Sequence, residues 1–393
     1  MNQEEKFFTT EFYRLAYAKG ERLRIRQFGP ISNIDIEIKP ITVIIGSTGS
    51  GKSTIIKLLH IFRQLILNSD LTTEKFKITL IDKFQLVEPV QNTYIKYELG
   101  DFYIEYTEGV LKTNFSSNFR TEWQDLQDFS TKEFEETSKI PSLINSLFLD
   151  AAKHIYKPIY IPAERLFTST HASYLAAFQL SEIPISDYML QFIKNIQIAK
   201  RLVRKMSLPF LKATYYFKNG IDIIEHDKDK STISLDFASS GFQAIIPVLL
   251  VFEYFSKRKD PFSHVFVVEE PELNLYPSVQ KHIIEEMVSK TIKWNSRLVI
   301  ATHSPYILTA LNNLIIAKTI IKEHPESIEA VNKEVPPQYQ VDFQDVMAYF
   351  VTDGTAKSIM NEEYSMIDAN ALDDISEELG QVFNQILDLK YPN

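Results

Sequence analysis

The stretch that most constrains this chain runs from Ile41 to Leu59. Ile41-Thr42-Val43-Ile44-Ile45 is a short β-branched run with no polar alternation, the pattern of a strand buried on both faces. Gly46-Ser47-Thr48-Gly49-Ser50-Gly51-Lys52-Ser53 follows as a glycine-rich turn, and Thr54-Ile55-Ile56-Lys57-Leu58-Leu59 opens an apolar helix. The turn fits G-x-x-x-x-G-K-[ST] at every fixed position, in the strand–turn–helix context that gives the motif meaning. Gly46, Gly49 and Gly51 let the backbone curl so that successive N–H groups point inward and cradle phosphate oxygens. The start of the helix adds positive potential at the same place. Lys52 is then positioned for β/γ-phosphates and the Ser53 hydroxyl for Mg²⁺, with Ser47, Thr48, Ser50 and Thr54 completing the set around the nucleotide. A ligand-free glycine turn would require neither the lysine nor the hydroxyl in register.

Composition narrows the class. The chain has 393 residues, 45% of them hydrophobic, enough for one large or two moderate cores. Its net charge of -9 excludes a basic nucleic-acid coat protein, while leaving room for a local basic patch. Cysteine is absent, so there are neither disulfides nor thiolate metal sites. The first residues lack the basic and apolar regions of a secretory signal, and no apolar run reaches membrane-spanning length. The expectation is a cytoplasmic protein with no membrane partner.

Along the chain, Arg22–Gln27 and Ile34–Ile38 alternate around Phe28-Gly29-Pro30 as a strand pair. Residues 93–115 alternate with a turn at Gly100-Asp101. Residues 122–136 place acids between aromatics, as on a solvated helix face. Lys157–Arg165 reads as a short strand ending in the charged pair Glu164-Arg165, which serves either function or structure. Residues 189–206 read as the most basic helix, with Phe192, Ile196, Ala199 and Val203 on one face. The cations from Lys194 to Lys205 offer contact with nucleic acid or an acidic partner, or simply a solvated surface. Residues 213–237 read as strands joined at Asn219-Gly220 and at residues 227–229.

Three further stretches belong with the phosphate loop. His264-Val265-Phe266-Val267-Val268 is a second buried strand, ending in Glu269-Glu270-Pro271-Glu272. Glu269 is the candidate for the Mg²⁺ shell, and Glu270 for orienting or deprotonating an attacking water. Leu298-Val299-Ile300-Ala301 ends in Thr302-His303-Ser304-Pro305, where His303 is placed to report on a γ-phosphate. Ser239, Ser240 and Gly241, with Gln243, precede an apolar helix and offer hydroxyls and free N–H groups to an anion.

The order of phosphate loop, S-S-G-x-Q, E-E-P-E-x-x-L-x-P-x-x-Q and T-H-S-P resembles ABC-type ATPases of the SMC, Rad50, RecF and OLD group. It is most similar to the compact ATP-binding subunits of bacterial anti-phage systems of the PARIS-like and Septu-like kind. The resemblance covers residues 22–60 and 235–310. It implies that Phe237–Gln243 is a signature motif contacting ATP held by another subunit, that Leu273–Leu275 is the D-loop, and that His303 is the switch histidine. Two positions depart: Glu269 stands where transporters carry Asp, and Tyr276 where the OLD-like group commonly has His. No long heptad segment separates Thr54 from Ala238, against a long-armed SMC, and no strand-Glu with a D-x-D pair follows His303, against a TOPRIM nuclease.

The expected fold is α/β, an ABC-type P-loop NTPase core with a mostly parallel sheet and a flanking antiparallel sheet. Residues 1–60 and 235–320 would form the core, 61–234 an inserted helical and β lobe, and 321–393 an extension packed on the core. The expected function is an ATP- and Mg²⁺-dependent ATPase, slow, self-associating around ATP and controlling a nuclease-like effector encoded nearby in anti-phage defence. The rival reading is a RecF-like repair ATPase that binds DNA in its ATP state.

Overall fold

A computed structural model describes residues 11–67, 72–116, 149–170, 185–257 and 262–368. The acidic segment at 122–136 lies outside them. In chain order, α1 (Glu11–Ala16) leads into β1 (Glu21–Phe28), β2 (Ile31–Glu37) and β3 (Ile41–Gly46), after which α2 (Lys52–Ile66) and α3 (Thr73–Ile78) follow. Three more strands come next: β4 (Tyr94–Leu99), β5 (Phe102–Thr107) and β6 (Val110–Thr113). β7 (Tyr156–Ile161) precedes α4 (Leu166–Thr170) and α5 (Asp187–Leu202). β8 (Lys205–Leu208), β9 (Ala213–Lys218), β10 (Ile221–His226) and β11 (Thr232–Ser234) make a separate four-stranded sheet. Then come α6 (Ser240–Lys257), β12 (Ser263–Glu269), α7 (Pro277–Lys293), β13 (Arg297–Thr302), α8 (Pro305–Glu323) and α9 (Ile328–Glu334). The last described strands are β14 (Val346–Thr352), β15 (Thr355–Ser358) and the small pair β16 (Met360–Asn361) and β17 (Met366–Ile367).

The main sheet has 11 strands in the order β6-β5-β4-β1-β2-β15-β14-β3-β13-β12-β7. From β14 to β7 every neighbouring pair is parallel, and β1, β2, β4, β5 and β6 pair antiparallel beside them. A parallel block covered on both faces needs apolar residues throughout, and β3 and β12 are buried at every position. The register aligns the carboxyl ends: Ile45 faces Thr302, Ala301 faces Glu269, and Val268 faces Ile161. Four chain segments therefore leave the sheet along one edge, where ligands bind in open α/β sheets.

Two boundaries differ from the sequence reading. Residues 61–234 do not stand apart as one lobe: β4, β5, β6 and β7 are strands of the main sheet, and only β8–β11 form a sheet of their own. Likewise residues 346–352 lie inside the core sheet, because β14 pairs parallel with the phosphate-loop strand β3. Alternation shows that a strand exists, not which neighbour it joins. The basic helix also ends earlier, at Leu202, and Lys205 and Met206 open β8. Lys200 is buried and donates to Asp222 Oδ2 at 2.5 Å, so it is withdrawn from the basic surface. Among the described residues no helix is long and apolar enough to cross a membrane.

Candidate functional site

The loop between β3 and α2 is shaped by its glycines. A Cβ on Gly46 would collide with the carbonyl oxygen of Val351 on the adjacent β14, and Gly51 caps α2 at φ 103°, a left-handed value that favours glycine. No side chain caps α2, and its first turn carries no acid, so its leading N–H groups stay available to an anion. Ser47, Thr48, Gly49 and Ser53 are exposed, Thr54 is half-buried, and Ser50 is buried with its Oγ unpartnered.

Lys52 is only 5% exposed. Its Nζ donates to the carbonyls of Gly46 at 2.9 Å and Ser47 at 2.7 Å, and lies 3.3 Å from His303 Nδ1. Burial pulls its pKa down to about 8, against the opposing charges of Glu270 and Glu272. His303 Nε2 in turn lies 3.4 Å from Glu270 Oε1. With the ammonium donating to Nδ1, the imidazole carries its proton on Nε2, facing that carboxylate. Lysine, histidine and glutamate from three strand ends thus form one chain.

Glu269 and Glu270 separate in role at the end of β12. Glu269 is 3% exposed; its Oε2 accepts from the Ala163 amide at 3.3 Å, while Oε1 has no partner. Burial, then the Glu269 charge, raises the pKa of the nearby Tyr160 phenol well above its ordinary value. Glu270 turns out of the strand at φ 43°, a strained value for a residue with a Cβ, and its amide donates to Ala301 at 2.8 Å. Glu272 accepts from Thr302 Oγ1 and from the His303 amide, both at 2.7 Å, and fixes the turn carrying the histidine.

Arg165, left open between function and structure by its sequence, is completely buried. Its guanidinium donates to the carbonyls of Ala244 at 2.9 Å, Pro162 at 3.2 Å, Glu269 at 2.8 Å and Glu270 at 2.5 Å. It ties β7, β12 and the first turns of α6 together. Burial lowers its pKa to about 10, so it stays charged at neutral pH.

Ser240 opens α6, whose first turn also lacks acids. Ser239 and Ser240 are exposed, and Gly241 packs so that a Cβ would lie 3.3 Å from the Asn274 carbonyl oxygen in the loop between β12 and α7. Gln243 is turned inward: its amide donates to the carbonyls of Leu235 at 3.2 Å and Asp236 at 3.0 Å. Within this chain it braces the stretch before α6 rather than facing outward. Gln280 has a similar task, donating to Leu275 O and accepting from Ser304 Oγ, so the loop after β12 is linked to the start of α8. Tyr276 is 77% exposed. Glu272 and Gln280 were visible in the E-E-P-E and P-x-x-Q strings, but spacing alone did not show what they hold.

Loop amides, a lysine, a free hydroxyl and an unpartnered carboxylate oxygen together suit a nucleotide phosphate with a divalent cation. Among the described residues no group of three or more His, Asp or Glu could hold a metal by itself. A cation here would draw its other ligands from phosphate and water, the habit of Mg²⁺.

The "OLD nuclease" of Thermus scotoductus (strain ATCC 700910 / SA-01) is 21% identical over 351 residues, covering 78% of this chain; the chain spans 63% of that relative's length. Among solved structures, the SMC head domain from Thermotoga maritima is 13% identical with a TM-score of 0.39, covering 87% of this chain and 98% of that one. An Smc head domain with an extended coiled coil, bound to the C-terminal domain of ScpA derived from Pyrococcus furiosus, is 14% identical with a TM-score of 0.41, covering 92% and 99%. Residues 41–309 match the family model described as "AAA domain, putative AbiEii toxin, Type IV TA system". The chain belongs to that family.

Proposed function

We propose that this protein binds ATP with Mg²⁺ at the carboxyl edge of its parallel sheet, hydrolyses it slowly, and uses the ATP state to associate with a second copy. The observation that carries this reading is the Lys52–His303–Glu270 chain, placed beside the unpartnered buried oxygen of Glu269. ATP would supply the phosphoanhydride to be cleaved, and Mg²⁺, held by Ser53 and Glu269, would supply charge neutralisation there. Loop amides from Gly46 to Thr54 and the Lys52 ammonium hold the phosphates. Ser53 and Glu269 serve the cation. Glu270 orients and deprotonates water, and His303, with its ring between Lys52 and Glu270, adjusts when phosphate replaces it on the lysine.

Ser239, Ser240 and Gly241 then serve a nucleotide held by the second copy, where their hydroxyls and amides make charge-assisted hydrogen bonds across the interface. Gln243 supports them from behind. The family description and the OLD relative support a role in toxin–antitoxin or defence biology. Within it, the ATP-bound assembly would control a separate nuclease-like effector against phage in the cytoplasm.

The test measures turnover and sedimentation together. Glu270→Gln should bind ATP yet lose turnover by roughly 10²-fold or more, and should assemble with ATP but not ADP. Adding Ser240→Arg should dissolve that assembly while each chain still binds ATP. Identical assemblies under all conditions would defeat the ATP-switch reading.

A further inference from the structure

The four-stranded sheet has a buried and an exposed face. Tyr215, on β9, and Ile224, on β10, pair in register and are completely buried. Their neighbours face the other way: Tyr216 sits opposite Lys205 on β8 and Ile223 on β10, with Lys218 two residues further along the same face. Lys218 Nζ lies 4.4 Å and Lys205 Nζ 5.4 Å from the Tyr216 ring centroid. The end of α5 brings Arg201 and Arg204 alongside, pinned there by a 2.9 Å bond from the Phe217 amide to the Arg204 carbonyl. Together these residues line an open groove of about 740 Å³ whose lining, among the described residues, includes no carboxylate. Leu202 and Ile221 nearby are 59% and 52% exposed, so the rim is apolar as well as basic.

Four cations in a groove whose described lining carries no acid stand out in a chain of net charge -9. Surface cations usually sit among acids that cancel their field; in this sheet Asp222 points to the buried face, where Lys200 and Tyr215 occupy it, and Glu225, two residues along β10 from Ile223 on the Tyr216 face, is paired with Lys230 at 3.7 Å. What distinguishes the groove from a merely basic surface is the aromatic ring on a central strand, with cations around it. That arrangement suits unpaired bases, which stack on the ring while their phosphates run outward to Arg and Lys. An acidic peptide would use the charges but not the ring. A duplex keeps its bases stacked internally and would use only the charges.

We infer that this face of the β8–β11 sheet is a binding site for single-stranded polynucleotide, with Tyr216 as the stacking platform and Arg201, Arg204, Lys205 and Lys218 as phosphate ligands. The site is distinct from the nucleotide edge and does not depend on the ATP reading. The lysine stems are long enough to swing off the ring when a base arrives.

Fluorescence anisotropy of the full chain without ATP tests this, using labelled oligothymidylate, oligouridylate, a duplex of equal length and polyglutamate. Single strands should bind in preference to duplex and polyglutamate. Log affinity should fall with log salt at a slope near about -3, since each phosphate neutralised on a single strand contributes about -0.7. Tyr216→Ala should weaken single-strand binding roughly ten-fold, with Tyr216→Phe retaining it. Arg201→Glu with Arg204→Glu should abolish it while the protein keeps the wild-type melting temperature. The thymidylate and uridylate arms tell DNA from RNA. Preference for duplex, equal capture of polyglutamate, indifference to Tyr216→Ala or no binding would each overturn the assignment. Lys52→Ala should bind the oligonucleotides unchanged, which separates this outcome from failure of the nucleotide reading.

Discussion

Arg165 donates from Nη2 to the carbonyl oxygen of Glu270 at 2.5 Å, across 105 residues of chain. Glu270 holds a left-handed backbone at φ 43°, which an L-residue keeps only when its surroundings over-determine it. The guanidinium supplies that constraint, and its bond to Ala244 joins the same point to α6, behind the Ser239–Gly241 stretch. A carboxylate at one end of the sheet and a helix start on its flank are therefore set by one buried side chain.

Replacing Arg165 should uncouple them. Arg165→Lys keeps the charge but cannot span four carbonyls with three donors from a single nitrogen. We expect a loss of about 2–4 kcal/mol in stability from buried carbonyls left unpaired. At a temperature where the variant is folded, turnover should fall by a larger factor than ATP affinity. Equal losses in both would reduce Arg165 to a structural brace.

Nucleotide binding should depend on Lys52 and on its proton. Lys52→Ala should lose the thermal stabilisation by ATP, about 2.7 kcal/mol at 100-fold over Kd in the native protein. The free lysine has a pKa of about 8 because it is buried. Phosphate should raise that value, so affinity is full below pH 8 and falls as pH rises, by up to about ten-fold per unit. Calorimetry from pH 7 to 9 reads this directly. An affinity flat across that range would show that the ammonium does not meet the phosphate.

His60 makes acid stability testable. It is buried in α2 beside Phe84 and Tyr160, its Nδ1 has no partner, and burial pushes its pKa down to about 3. A histidine of lowered pKa contributes stability that is complete above the unfolded value near 6.5 and is lost as pH falls below it. The cost approaches about 1.4 kcal/mol per unit between pH 6 and 4. His60→Phe should flatten that part of the denaturation profile relative to wild type. An unchanged acid limb would mean that the buried ring takes up its proton without penalty.

The sequence determined the local units because their causes are local. The glycines at 46, 49 and 51 with Lys52 and Ser53 specify a strand–turn–helix, and runs such as 265–268 and 298–301 specify strands buried on both faces. The pair Asn219-Gly220 likewise specified the turn between β9 and β10. Each depends on neighbours within a few residues. The tertiary structure decided adjacency. Placing β14 against β3, drawing β4–β7 into the main sheet and burying Lys200 on Asp222 depend on which apolar surfaces meet, and hydrophobic burial carries no address in the sequence. Arg165 shows the division most clearly. Its charge was legible beside Glu164, but its distant partners are backbone carbonyls from two segments, α6 and the end of β12, which have no side-chain signature and become neighbours only when the sheet is assembled.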